Sequence, residues 1–369
     1  MTKKLHREQI LSIKPYVPGK PVEEVERELG ISGVIKLASN ENPLGPAPSS
    51  VAVLKEMAGK VATYPDGNCY YLKNALSDFL GVTPANLIVG NGSDEIIKLI
   101  AEAFLDEGEE AIVADPSFSE YDFAVKIMGG RTVPVPTKNL THDLEAMATA
   151  VTEKTKLVFV CNPNNPTGTK VGRAEVDAFL NKLPQGVITV FDEAYYEYVT
   201  DEDYPQTLDY VHSGRDVIVL RTFSKIYGLA GLRIGYGVTK PELLGMLNRV
   251  REPFNVNMLA QAAALAALGD SEHVIKSREM NEEGKTFLGG EFNRLGLPFA
   301  PTHANFIWVQ IKADCQKVFA KLLRRGIIVR TGDIFGAPDV IRVTIGTPEQ
   351  NRRFIAALEE VLTEEGAIG

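Results

Sequence analysis

Short runs of continuous apolar residues recur along this chain at Leu87–Val89, Leu157–Val160, Val187–Phe191 and Val217–Leu220. Runs of that kind suit strands of a parallel sheet that is covered on both faces. Shorter or more mixed runs predict further strands at Val34–Ala38, Glu110–Ala114 and Arg131–Val135. Between the strands the apolar spacing turns helical, over Pro21–Leu29, Ser49–Lys60, Tyr71–Leu80, from Ser93 to about Leu105, from Ser117 to about Met128, and over Arg173–Leu183. Pro21 opens the first of these and Gly30 follows it, the asymmetry expected of helix ends. Ala260–Leu268 is apolar all round and reads as a buried helix, whereas the polar, aperiodic stretch 198–215 reads as a surface loop. Strands alternating with helices predict an α/β domain, in which ligands bind beyond the carboxyl ends of the strands.

The pattern changes after about residue 270. Asp270–Leu295 predicts one long helix, followed by a strand at Phe306–Val309, a helix at Ala313–Arg325, strands at Ile327–Val329 and Val340–Val343, and a helix at Pro348–Glu364. This is a smaller α/β unit, and the N-terminal segment is expected to pack on it. The division predicted is residues 40–269 for a large domain with a mostly parallel central sheet flanked by helices, and residues 1–39 with 270–369 for a discontinuous small one.

Composition narrows the class. A length of 369 residues suits two domains rather than one. A net charge of −9 argues against nucleic-acid binding through a broad basic face. The three cysteines, Cys69, Cys161 and Cys315, are far apart, so neither a zinc motif nor a disulfide framework is expected, and a cytoplasmic location is. The N-terminus lacks the apolar core of a secretory signal, and no apolar run is long enough to span a membrane. The five histidines, at 6, 142, 212, 273 and 303, show no metal-ligand spacing, and surface or turn positions are expected for them, with no metal.

Four polar motifs stand at predicted strand ends. Gly90-Asn91-Gly92-Ser93-Asp94-Glu95 opens a helix, where main-chain N–H groups and the dipole favour an anion; read alone, it is equally a capped turn with Ser93 or Asp94 as the cap. Asn162-Pro163-Asn164-Asn165-Pro166-Thr167-Gly168 reads as a rigid loop able to hold a polar group in place. Asp192 ends an apolar strand, with Tyr195 three residues on; an N-cap beside a core tyrosine accounts for the pair as well as a buried acid does. Arg221-Thr222-Phe223-Ser224-Lys225 leads into Gly228, Gly231, Arg233 and Gly235. A lysine is most often a surface residue, but one at such a strand end would lose pKa on burial and become a nucleophilic amine able to form a Schiff base. Together the motifs supply an amine, a carboxylate, phenol-directed donors and an anion seat, which are the needs of pyridoxal 5′-phosphate.

In these residues the chain resembles the fold-type-I aminotransferases of the aspartate aminotransferase superfamily. The resemblance runs from Pro15 to the C-terminal helix and rests on Asn164-Asn165-Pro166-Thr167-Gly168, Asp192-Glu193-Ala194-Tyr195 and Ser224-Lys225 with Arg233, in that order. Within the superfamily it is most similar to the histidinol-phosphate aminotransferases. The pointers are Lys14-Pro15-Tyr16-Val17-Pro18-Gly19-Lys20, Leu37-Ala38-Ser39-Asn40-Glu41-Asn42-Pro43, Tyr64-Pro65-Asp66-Gly67, Arg330-Thr331-Gly332 and Ile341-Arg342-Val343-Thr344-Ile345-Gly346.

The resemblance implies roles. Lys225 would be the Schiff-base lysine and the proton carrier, Asp192 would pair with the ring nitrogen, and Tyr195 and Asn165 would bond the phenolic oxygen. Ser93, Asp94, Ser224 and Arg233 would hold the phosphate, and Phe118 would stack on the ring. Tyr64 would reach the cofactor phosphate of a neighbouring subunit, which implies a homodimer. On the substrate side, Arg342 would hold an α-carboxylate, and Arg330 with Tyr16 a phosphate ester; Asn42 is a further candidate, while Arg330 read alone is equally a surface arginine. The implied reaction is histidinol phosphate plus 2-oxoglutarate to imidazole acetol phosphate plus glutamate, in histidine biosynthesis. Close relatives acting on aromatic amino acids, or decarboxylating threonine phosphate, would share the cofactor residues. A non-catalytic regulator would need a DNA-binding unit, for which the N-terminal segment is too short and the chain too acidic.

Overall fold

The computed structural model describes residues 5–13, 15 and 19–368. Tyr16, one of the expected substrate contacts, lies outside the described residues. The chain opens with a 3₁₀ turn at Glu8–Ser12, helix α1 (Val22–Leu29) and a two-residue strand β1 (Ile35–Lys36). Helices α2 (Pro48–Met57) and α3 (Tyr70–Leu80) follow, and then strand β2 (Leu87–Gly90) and helix α4 (Ser93–Phe104). Next come β3 (Glu110–Asp115), α5 (Glu120–Ile127), β4 (Arg131–Pro136), α6 (Leu144–Thr149), β5 (Thr155–Cys161), α7 (Arg173–Lys182) and β6 (Ile188–Asp192). Helix α8 (Thr207–His212), strands β7 (Val217–Thr222) and β8 (Gly235–Thr239), and helices α9 (Pro241–Val250) and α10 (Met258–Leu268) complete this part.

These strands form one seven-stranded sheet in the order β2-β8-β7-β6-β5-β3-β4. All neighbours are parallel except where β8 runs antiparallel to β2 and β7. Side chains alternate between the faces, as the strand period requires. Leu87, Val89, Val158, Val160, Phe191 and Val219 enter one buried cluster with residues of α3, α7 and α10. Ile88, Leu157, Phe159, Val190, Ile218 and Leu220 enter another with α4, α5 and α9. The continuous apolar runs therefore have the cause inferred for them, a sheet sandwiched between helix layers.

Beyond α10 lie α11 (Ser271–Arg294), β9 (Phe306–Gln310), α12 (Cys315–Arg324), β10 (Ile327–Ile328), β11 (Arg330–Thr331), β12 (Val340–Thr344) and α13 (Pro348–Glu364). Strands β11-β12-β9 make an antiparallel sheet and β1 pairs in parallel with β10. Leu37, Ile307, Val343, Phe354 and Leu358 form the core of this part. Val25 and Val34 pack with Ile328, so α1 and β1 sit on it. The turn at Glu8–Ser12 instead lies against α5, and Gln9 Nε2 donates to Glu107 at 3.1 Å.

Several local expectations are corrected. Residues 198–215 are not merely a surface loop: they contain α8, and Tyr204, Thr207 and Tyr210 are buried. Strand β8 and helices α6 and α9 are additional elements. The N-cap of α4 is Gly92, at φ 83°, rather than Ser93 or Asp94. His142 and His273 are buried, not on the surface. No helix among the described residues is long and apolar enough to cross a membrane.

Candidate active site

The carboxyl ends of β5, β6 and β7 converge on one cavity of about 350 Å³. Its lining includes Ser93, Asp94, Phe118, Asn165, Asp192, Tyr195, Ser224, Lys225 and Arg233, so folding gathers nine of the expected residues around one space. A smaller cavity of about 150 Å³ adjoins it, sharing Phe118, Asn165, Tyr195 and Lys225, and bordered by Arg330 and Arg342.

Lys225 lies three residues past the end of β7. Its Nζ reaches the carbonyl of Ser39 at 3.4 Å and stands 5.6 Å from the Tyr195 ring centroid. Burial, helped by the Arg342 guanidinium, pulls its ammonium down to about 8. Asp192 is the last residue of β6 and almost wholly buried. Its Oδ2 accepts from the Tyr121 hydroxyl at 2.8 Å and its Oδ1 from the Ala194 amide at 3.2 Å. Burial pushes this carboxyl up to about 6, against the pull of the Tyr121 hydrogen bond. Tyr195 is buried, accepts from Asn40 Nδ2 at 2.9 Å, and has its ionisation pushed upward by that burial.

The anion seat is built by close approach. Gly92, at positive φ, precedes the first turn of α4, and Gly235 of β8 passes directly behind it. A Cβ on Gly235 would lie 2.7 Å from the Ser93 amide nitrogen, so no other residue fits without moving the seat. Arg233, itself at φ 56°, donates to Asp94 Oδ2 at 2.8 Å. An acid at an anion site would repel its ligand; here the Asp94 carboxylate is engaged by Arg233, and Ser93 and Asp94 bring the start of the helix to the cavity wall.

The Asn loop is cross-braced. Asn164 accepts from Ser117 at 2.8 Å, donates to Pro116 O at 3.1 Å, and meets His142 Nε2 at 3.2 Å. The loops carrying Phe118 and Asn165 are thereby tied together. Arg342 of β12 is buried; its NH1 donates to Asn165 Oδ1 and its NH2 to Ala38 O at 2.6 Å, and it lies 5.2 Å from the Phe306 ring centroid.

Behind the cavity, Arg221 of β7 and Glu193 form a fully buried ion pair, with Nε and NH2 each 2.9 Å from Oε2. Glu193 also accepts from Thr207 at 2.8 Å and from Tyr204 at 3.3 Å, and Tyr204 further donates to Asn162 O. The three strand ends that carry Asn165, Asp192 and Lys225 are thus joined by one polar network.

Two expected residues are not in the cavity. Asn42 is committed elsewhere: its Nδ2 donates to Ile226 O at 2.7 Å and Ser277 at 2.8 Å, and its Oδ1 accepts from Leu44 N at 3.0 Å. It ties the 39–46 loop to α11 instead of presenting an amide to a ligand. Tyr64 is 81% exposed and stacks on Phe254 at 4.9 Å. Tyr121, Asn40, Glu41 and Thr222 were not foreseen; a hint for Tyr121 existed in its spacing, one helical turn after Phe118.

Comparison with known proteins agrees with this geometry. The profile of the aminotransferase class I and II family matches residues 32–358. The chain is 63% identical to a histidinol-phosphate aminotransferase of Moorella thermoacetica, over 96% of this chain and 92% of that protein. It is 49% identical to one of Caldicellulosiruptor saccharolyticus, over 97% and 100%. Among solved structures, the histidinol-phosphate aminotransferase of Sinorhizobium meliloti in complex with pyridoxal 5′-phosphate superposes with a TM-score of 0.91 at 30% identity, covering 98% of this chain and 99% of that one. With a full-length match at this identity and a shared fold, the chain belongs to the class I and II aminotransferases and, among them, to the histidinol-phosphate aminotransferase family.

Proposed function

We propose that this protein is a pyridoxal 5′-phosphate-dependent aminotransferase that transfers the amino group of histidinol phosphate to 2-oxoglutarate. The observation that carries the proposal is the union in one cavity of a buried lysine near 8, a buried strand-end carboxylate and a helix-start anion seat. The residues fit the cofactor. Lys225 offers the amine for its aldehyde, Asp192 the carboxylate for its ring nitrogen, and Tyr195 with Asn165 the contacts for its phenolic oxygen. Phe118 offers a ring face, and the amides of Ser93 and Asp94 with Ser224 and Arg233 offer the phosphate site. Because residue 235 has no side chain, β8 passes close behind that seat without displacing the Ser93 amide. When bound, the cofactor supplies an electron sink for the carbanion formed at the substrate Cα.

The chain's residues do the rest. Lys225 takes the Cα proton and returns it on the other side of the transfer; a lowered pKa keeps part of it neutral near pH 7–8, where a general base works best. Asp192 must be ionised to hold the ring nitrogen protonated, and the Tyr121 hydroxyl favours that charge by donating to it. Arg342 holds the α-carboxylate of glutamate or 2-oxoglutarate in a planar, two-pronged contact. Histidinol phosphate carries a phosphorylated CH₂ in place of that carboxylate, and Arg330, which borders the adjoining cavity, supplies the guanidinium for its phosphate. Tyr64 reaches across to a partner's cofactor site in a homodimer; the exposed pairs Tyr64–Phe254 and Tyr70–Tyr71 offer aromatic surface for such a contact to cover. A cytoplasmic site of action is in keeping with three unpaired, buried cysteines.

Lys225→Ala should reduce turnover by several orders of magnitude, about 10³-fold or more, and turnover at the parent rate would refute the assignment. Arg330→Ala should raise KM for histidinol phosphate about 10–100-fold while leaving phenylalanine turnover little changed. Equal losses on both substrates would place phosphate recognition elsewhere.

A further inference from the structure

A second cavity, of about 330 Å³, lies behind the strand ends and shares no lining residue with the first. Its size is in the range of small-molecule sites. Glu197, in the 3₁₀ turn after β6, stands in its wall with only 9% exposure. The Oε2 atom of Glu197 is buried and has no hydrogen-bond partner. A buried carboxylate oxygen without a donor is costly and rare, and its presence asks for a partner. Arg278 of α11 lines the same cavity. Its Nε is anchored on the Glu197 carbonyl at 2.8 Å, and its terminal nitrogens make no hydrogen bond among the described residues. The neighbouring Arg221 is already engaged by Glu193 at its edge and by the Tyr196 ring at 3.5 Å on its face. Leu268, Val274, Ile275 and Phe79 give the cavity an apolar side, apart from the polar Asp201, Gln206 and Ser271; Ile275 and Phe79 are half-exposed at its rim.

From this arrangement we infer that the second cavity is a binding site for a free α-amino acid with an apolar side chain, whose ammonium group meets Glu197 and whose carboxylate meets Arg278. The charges select the class. Arg221 is neutralised by Glu193 and Asp201 by Lys170, which leaves Glu197 and Arg278 to balance each other, so the cavity has no net charge to recruit a simple ion of either sign. A zwitterion satisfies the orphan acceptor and the unengaged donors together and leaves that balance intact. The aliphatic rim accepts the side chain. Burial pushes the Glu197 carboxyl up to about 7, and an ammonium partner would stabilise its ionised form. The site is independent of which amine the catalytic cavity takes.

The test is calorimetric titration of L-leucine and L-phenylalanine into holoenzyme reduced with borohydride. Reduction makes the link between Lys225 and the cofactor permanent and blocks the catalytic cavity. One binding event per chain is expected, lost with isopentylamine and with 4-methylpentanoate, which each carry one charge only. Glu197→Gln and Arg278→Met should each weaken binding by about tenfold or more, while turnover of histidinol phosphate by the unreduced variants stays within about threefold of the parent. Ile275→Arg, at an exposed rim position that folding tolerates, should weaken binding as well. Absence of binding to the reduced parent, or binding undiminished in all three variants, would overturn the proposal. Either result leaves the catalytic assignment to be judged by turnover alone.

Discussion

Asp192 shows what a single side chain costs and contributes. Its folded carboxyl stands at about 6 against an ordinary 3.8, so ionising it opposes the cofactor-free fold. The stability tied to its neutral form is complete below about pH 4 and is lost as pH rises through 6. Asp192→Asn should therefore stabilise the cofactor-free protein at pH 8 by about 1–3 kcal/mol while crippling transamination. Thermal unfolding at pH 4 and pH 8 checks this: the gain should appear at pH 8 and vanish at pH 4. Tyr121→Phe removes a hydrogen bond to the charged form and drives Asp192 further up. Its acid limb of kcat/KM should move to higher pH by about one unit, and an unmoved limb would show that Tyr121 does not support the charge. Lys225, Asp192, Asn165 and Arg233 were legible because each sits within a short motif at a strand end. Tyr121 was not, because its hydroxyl meets Asp192 across 71 residues of chain. Asn40 and Asn42 were indistinguishable as letters; only the path of their loop aims one at Tyr195 and the other at α11.

Among the elements, β8 explains most. Its glycines at 235 and 237 hide strand character from any propensity argument, and its antiparallel direction breaks the βα rhythm that predicts the rest of the sheet. Yet this strand brings Gly235 against the Ser93 amide. Gly235→Ala should displace the start of α4 and weaken cofactor binding by about tenfold or more, measured by fluorescence titration of the cofactor-free protein. Unchanged affinity would mean the seat lies elsewhere. The regular α/β alternation from β3 to β7 was readable because the inner strands β5, β6 and β7 are buried on both faces and mainly apolar, while β4, at the sheet edge, is largely exposed. The stretch 198–215 misled because polar groups share its interior: Tyr204 and Thr207 point inward to satisfy Glu193, and the buried Tyr198, Tyr210 and Val211 are too few to mark an apolar period.

At the scale of the whole molecule, the two cavities share no lining residue, and Arg221 and Tyr204 of the buried polar network line the second. The buried Glu193–Arg221 pair holds the ends of β6 and β7 in register, and removing one partner would strand a charge. The assembly extends the argument beyond one chain. If Tyr64 serves a partner's site, Tyr64→Ala and Lys225→Ala chains, each nearly inactive, should regain on the order of a quarter of parental activity when dissociated and reassembled together, since about half of all dimers are mixed and each mixed dimer carries one intact site of its two. No recovery would confine each site to its own chain.

The central claim is the pairing of this cofactor chemistry with a phosphorylated amine. It is tested most directly by stopped-flow absorbance of the holoenzyme mixed with histidinol phosphate, phenylalanine or threonine phosphate, without an acceptor. Rapid conversion of the cofactor to its aminated form with histidinol phosphate at low concentration, and far slower conversion with the other two, is the result expected. Preferential conversion by phenylalanine, or release of CO₂ from threonine phosphate without amination, would contradict it.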